Sequence, residues 1–131
     1  MQGGTKGSPA LTVEGIPAGA TDLLVAFNDL SYPPLSTGGG HGTIRVPVPA
    51  GATRVLVPSV PSETTNVPAG VSMEAPHRGD VPGVRPGAYL APCSGGRGNV
   101  YEAQVLAVVR TGRQDAPPTI VGEGTIAIGR Y

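Results

Sequence analysis

Tryptophan is absent from this chain, phenylalanine occurs once, and tyrosine four times. So few rings leave little on which bases could stack. Nine Lys and Arg offset nine Asp and Glu, and no basic run forms a stripe, so the electrostatic footprint of a nucleic-acid binder is missing. Nucleic acid is not an expected partner. The single cysteine, Cys93, cannot close an intrachain disulfide, and nothing calls for an oxidising compartment. No apolar run approaches the ~20 residues of a membrane span, and no charged segment followed by an apolar one opens the chain. The expectation is a soluble, cytoplasmic protein without stable membrane insertion. Also missing is any window with a capped 3.6-residue period, so long helices are not expected.

Glycine (21) and proline (15) are abundant, at a level where disorder has to be considered. Charge decides against it: only 14% of residues are charged and 39% are hydrophobic, whereas disordered chains combine low hydrophobicity with high charge. No Gly-X-Y period points to collagen. What remains is a folded, turn-rich unit. Its 131 residues are read as one domain, long enough to bury a core without metal or disulfide staples.

Residues 1–7 are glycine-rich and polar and read as a loose terminus. Ser8 to Val13 alternates weakly, as a short strand does, and Gly15 to Gly19 is a turn. Leu23 to Phe27 is a continuous apolar run bounded by turn signals, which predicts a strand buried on both faces, with Asp29 at its end. From Thr43 to Val48 the alternation is strict, placing Ile44, Val46 and Val48 on one face; Pro47 suggests an edge position or a strand end. Thr53 to Val57 is the next strand. The segment from Pro17 to Val25 is echoed from Pro49 to Val57, with a third, partial copy from Val67 to Val71 that lacks the strand. The echo reads as one turn solution reused rather than a repeat architecture.

From Pro58 to Gly87 no period is sustained; a segment this long is either functional or ordered by its own short elements. A second glycine-rich loop, Tyr89 to Gly98, leads into the longest periodic segment, where Tyr101, Ala103, Val105, Ala107 and Val109 share one strand face with Asn99. Ala103 to Val109 admits a helical reading, but its β-branched residues favour a strand. The chain ends with strand-like Thr119 to Val121 and Thr125 to Ile128, set around Gly122 and Gly124. Short strands separated by turns predict an all-β fold, an antiparallel sandwich.

Asp29 and His41 flank a glycine loop, so an acid at one strand's end could face a histidine at the next strand's start. A carboxylate that accepts from one imidazole nitrogen fixes the tautomer and leaves the other nitrogen to donate to an anion. The plainer alternative is an aspartate closing its own turn and a solvated loop histidine. Asn99 and Tyr101, two apart, offer an amide and a phenol to the same cavity; otherwise they are a turn asparagine and a core-edge tyrosine. Cys93 reads as a small buried residue in preference to a nucleophile. His77 and Asp80 with His41 lack a ligand spacing, so no metal site is expected. Gly38 to Gly40 and Gly95-Gly96 open no helix and are read as pocket rims, with no phosphate-cradling role. No cofactor is called for.

Taken in order, the motifs Ser8-Pro9-Ala10-Leu11, Gly15-Ile16-Pro17-Ala18-Gly19, Asp29-Leu30-Ser31-Tyr32-Pro33, His41, Leu90-Ala91-Pro92-Cys93, Asn99-Val100-Tyr101, and Thr125 through Gly129-Arg130-Tyr131 run through the chain. This succession resembles the phosphatidylethanolamine-binding protein family, in particular its small bacterial, Raf-kinase-inhibitor-like branch. The resemblance covers roughly residues 8 to 131. It implies a β-sandwich of two antiparallel sheets with one or two short peripheral helices, and a small anion-binding pocket near one edge of the central sheet. The matching pocket positions are Asp29, His41, Ala91, Pro92, Asn99 and Tyr101. Ser31 stands where the family's second Asp is usual, Ala91 replaces a glycine, and Asn99 replaces the second pocket histidine. The pocket is therefore expected to be less cationic than in typical relatives, favouring a neutral or weakly anionic ligand over a phosphomonoester. Bacterial relatives are often homodimers, so the resemblance implies a homodimer as well.

The leading expectation is a small ligand-binding domain whose pocket takes a polar or anionic small molecule. The alternative is an enzyme on the same scaffold, a biosynthetic cyclase or related acid/base catalyst with His41 as acid or base, Asp29 orienting it, and Tyr101 or Asn99 polarising the substrate. A third is a protein-interaction domain working through the segment from Pro58 to Gly87.

Overall fold

Leu23, Val25 and Phe27 recur at the two-residue period of a strand, so they set three large apolar side chains on one face, and they join one core cluster with buried residues of other strands. The computed structural model describes residues 10–31, 39–59, 70–75, 100–110 and 118–130. These form seven strands: β1 (Leu11–Glu14), β2 (Asp22–Asp29), β3 (Thr43–Pro47), β4 (Arg54–Val57), β5 (Ser72–Ala75), β6 (Val100–Val109) and β7 (Thr119–Arg130). No helix occurs among the described residues, and so none is long and apolar enough to cross a membrane.

Every pairing is antiparallel. A five-stranded sheet runs β5-β3-β2-β6-β7, and β1 pairs with β4 in a two-stranded sheet. Both sheets contribute to one apolar cluster: Leu11, Val55 and Val57 from the small sheet meet Val25, Phe27 and Ile44 from the large one. The arrangement is sandwich-like. Burying each such side chain contributes on the order of 1.5–3 kcal/mol, so the shared core holds the two sheets together.

β2 is buried on both faces, as its unbroken apolar run predicts. β3 follows its alternation, with Ile44 and Val46 in the core and Pro47 as its last residue; the strand lies between β5 and β2, so the proline marks an end and not an edge. In β6, Tyr101, Ala103, Val105 and Ala107 are buried as expected, but Val109 is only half-buried while Val108 on the reverse face is fully buried. The pairing to β7 shifts register at that point.

The echoed segments adopt one conformation. Ala20 N–H donates to the Pro17 carbonyl at 3.3 Å and Ala52 N–H to that of Pro49 at 3.0 Å, with Gly19 at φ 86° and Gly51 at φ 79°. Positive φ at the third residue is the type II geometry that requires glycine. Gly70, at φ 81°, matches them, and a strand follows it as well: β5 begins two residues later. The expectation that the third copy lacks a strand is thus corrected, and the segment from Pro58 to Gly87 carries an ordered element. The two apolar pieces near the C-terminus also prove to be one strand, β7, running through both glycines. A Cβ on Gly122 would stand 3.0 Å from Pro17 Cγ, so a glycine here admits the turn before β2 and does not end the strand.

Candidate functional site

β2 ends on Asn28 and Asp29, and alternation sends their side chains to opposite faces. Asp29 falls in line with Leu23, Val25 and Phe27 on the core face; Asn28 falls in line with Leu24 and Ala26 on the reverse face. Opposite Asp29 in the ladder is Tyr101, the second residue of β6, which shares the core-facing line of Ala103 and Val105.

His41 arrives at the same place from another direction. Its N–H donates to the Phe27 carbonyl at 2.9 Å, while Phe27 N–H donates to the Gly42 carbonyl at 3.0 Å. Phe27 therefore faces two residues of the incoming chain, the count of a β-bulge, which re-aims the side chains around it. The His41 ring meets that of Tyr101 edge to face, with centroids 5.2 Å apart and planes at 88°. Ring quadrupoles favour such a crossing. Asp29, His41 and Tyr101 are 3%, 3% and 2% exposed. An acid, an imidazole and a phenol, far apart in sequence, thus converge at one end of the sandwich interior.

The plainer alternative of a solvated loop histidine does not hold, since His41 is buried. Asp29 does close its own turn: its Oδ1 accepts the Ser31 N–H at 2.9 Å. Ser31 in turn accepts the Val100 N–H on Oγ at 2.9 Å, and Leu30 N–H donates to the Val100 carbonyl at 2.8 Å. The serine at the position where the resembled family has a second acid therefore ties the end of β2 to the start of β6, one residue before Tyr101. Turn closure and proximity to Tyr101 are two roles of the same aspartate.

Ala91, Pro92 and Asn99 lie outside the described residues, as do Cys93, His77 and Asp80. The site described is therefore Asp29, His41 and Tyr101. Sequence reasoning passed over Asn28, which is 1% exposed and whose Oδ1 accepts the N–H of Gly39 at 2.8 Å and of Gly40 at 3.4 Å. Its only signal is a polar residue directly after the apolar run Leu23 to Phe27.

Two clefts lie elsewhere. One of about 320 Å3 separates the Thr12 to Pro17 stretch from β6 and β7, and one of about 390 Å3 lies among Val46, Pro49, Arg54 and Val71. The first is walled by Val105, Ala107 and Ile126, with Glu14 and Glu123 among its lining residues. Neither is lined by Asp29, His41 or Tyr101, and neither gathers an acid, an imidazole and a phenol. Side-chain chemistry therefore places the candidate site at the ends of β2 and β6. Comparison of the chain with protein-family models, with curated proteins and with solved structures yields no match.

Proposed function

We propose that this chain is a phosphatidylethanolamine-binding-protein-like domain that binds a small polar or anionic ligand. Its site takes in Asp29, His41 and Tyr101 from the described residues, and the family resemblance adds Ala91, Pro92 and Asn99, which lie outside them. The observation that carries this reading is the convergence of Asp29 and His41 on Tyr101. These are three of the positions at which the family resemblance puts its pocket, and spacing alone does not bring them together. The antiparallel, sandwich-like fold supports the same reading. An imidazole and a phenol supply donors, and a carboxylate beside them orients the imidazole.

The test is ligand-induced stabilisation. Acetate and inorganic phosphate, titrated separately, should raise the melting temperature of the wild-type protein, acetate the more effectively, through preferential binding to the folded state. His41→Ala should stay folded and lose the shift; an unchanged shift would remove His41 from the pocket.

A second reading, an acid/base enzyme on the same scaffold, is favoured by one feature. Three ionisable side chains are buried together, the kind of grouping from which proton-transfer sites are built. It requires turnover of a substrate by the purified protein, lost in His41→Ala with binding retained in Tyr101→Phe.

A further inference from the structure

We infer that Asn28 is the positioning residue of the proposed pocket: its carboxamide holds the turn that carries the His41 imidazole onto Tyr101. As a statement about ligand binding, this rests on the pocket reading above; as a statement about His41, it stands on geometry alone.

The chain from Gly39 to Gly42 is held to the end of β2 twice. Phe27 holds it through main chain, by the bonds to His41 N–H and the Gly42 carbonyl. That hold is indifferent to side-chain identity. Asn28 holds it through its side chain, one oxygen accepting the N–H groups of Gly39 and Gly40. Both glycines are buried, so no solvent stands ready to replace that oxygen. Within the turn, Gly42 N–H donates to the Gly39 carbonyl at 2.8 Å, so a displacement of Gly39 is passed to the far side of His41. The turn has little room to settle elsewhere, since Gly39 packs so closely that a Cβ there would overlap Thr43 Oγ1. His41 thus follows directly on the side-chain hold at Gly39 and Gly40 and itself begins the main-chain hold, so its ring position depends on both.

The imidazole resonances give a direct readout. The chain has two histidines, and His41→Ala distinguishes the His41 signals from those of His77. In the wild type, the Tyr101 ring current should displace the His41 signals from the free-histidine position. Asn28→Ala removes the acceptor; the His41 signals should move toward free histidine, and acetate affinity should fall about tenfold. Asn28→Asp keeps an oxygen in the same place and should restore both. Wild-type His41 signals in a folded Asn28→Ala protein overturn the inference, as do His41 signals near the free-histidine position in folded Asn28→Asp, which remains decisive if the alanine variant fails to fold. Failure of the pocket reading looks different: acetate affinity unchanged in His41→Ala, with the His41 signals still responding to Asn28.

Discussion

Gly39 and Gly51 both sit at positive φ, 77° and 79°, yet they differ in what surrounds them. A Cβ on Gly51 meets nothing within 4 Å, whereas one on Gly39 would overlap Thr43 Oγ1 and approach Ala26 Cβ to 3.3 Å. Gly51→Ala should therefore cost only the backbone term, about 1–2 kcal/mol. Gly39→Ala adds overpacking of about 1–3 kcal/mol, so urea denaturation should rank it clearly the less stable of the two. At Asp29 stability and binding should separate. Asp29→Asn keeps an oxygen to accept the Ser31 N–H, so the melting temperature without ligand should change little while the acetate-induced shift disappears. Retention of that shift would take Asp29 out of the proposed pocket. The acid and the histidine were legible because they flank a glycine loop between two apolar runs. Asn28 was not, because its partners are backbone N–H groups eleven and twelve residues on, and no side-chain pattern marks them.

Among the strands, β3 could be read from its strict alternation and β2 from its unbroken apolar run. β5 could not: its four residues, Ser72 to Ala75, carry no period, and the strand exists because β3 offers it a ladder. β7 was divided in two because Gly122 and Gly124 look like turn residues in one dimension; the reason for Gly122 is Pro17, distant in sequence. At the opposite end of β2 from the candidate site, a polar group ties elements together. Arg110, just past β6, pairs with Asp22 of β2 at 3.8 Å and also with Glu74 of β5. Thr21 Oγ1 donates to Asp22 Oδ2 at 2.8 Å and accepts the Arg110 N–H at 2.8 Å. By contrast, the pair between Arg54 and Glu14, joining β4 to β1, is 69% and 68% exposed. Arg110→Ala should destabilise by about 1 kcal/mol, diminishing as salt is raised, and Arg54→Ala should have no measurable effect; chemical denaturation at two ionic strengths checks both.

At the scale of the molecule, the small sheet and the large one share a core, so damage to either should lower a single transition. Adjacent residues of β4 provide the contrast, because Val57 is fully buried in that core while Leu56 is 66% exposed. Val57→Ala should lower the midpoint by the equivalent of about 1–3 kcal/mol, identically by far-UV circular dichroism and by tyrosine fluorescence. Leu56→Ala should fall within about 0.5 kcal/mol of wild type. Two separate transitions would show that the sheets fold independently. The same alternation of faces has a consequence at the end of β2. Asn28 and Asp29 are near-isosteric neighbours, so exchanging them (N28D/D29N) preserves composition, mass and net charge while moving the carboxylate from the interior end of the sandwich to the reverse face of the sheet. The chain should still fold, because each side chain keeps an oxygen where one is needed, but its acetate-induced stabilisation should vanish. The information in this dipeptide is its order.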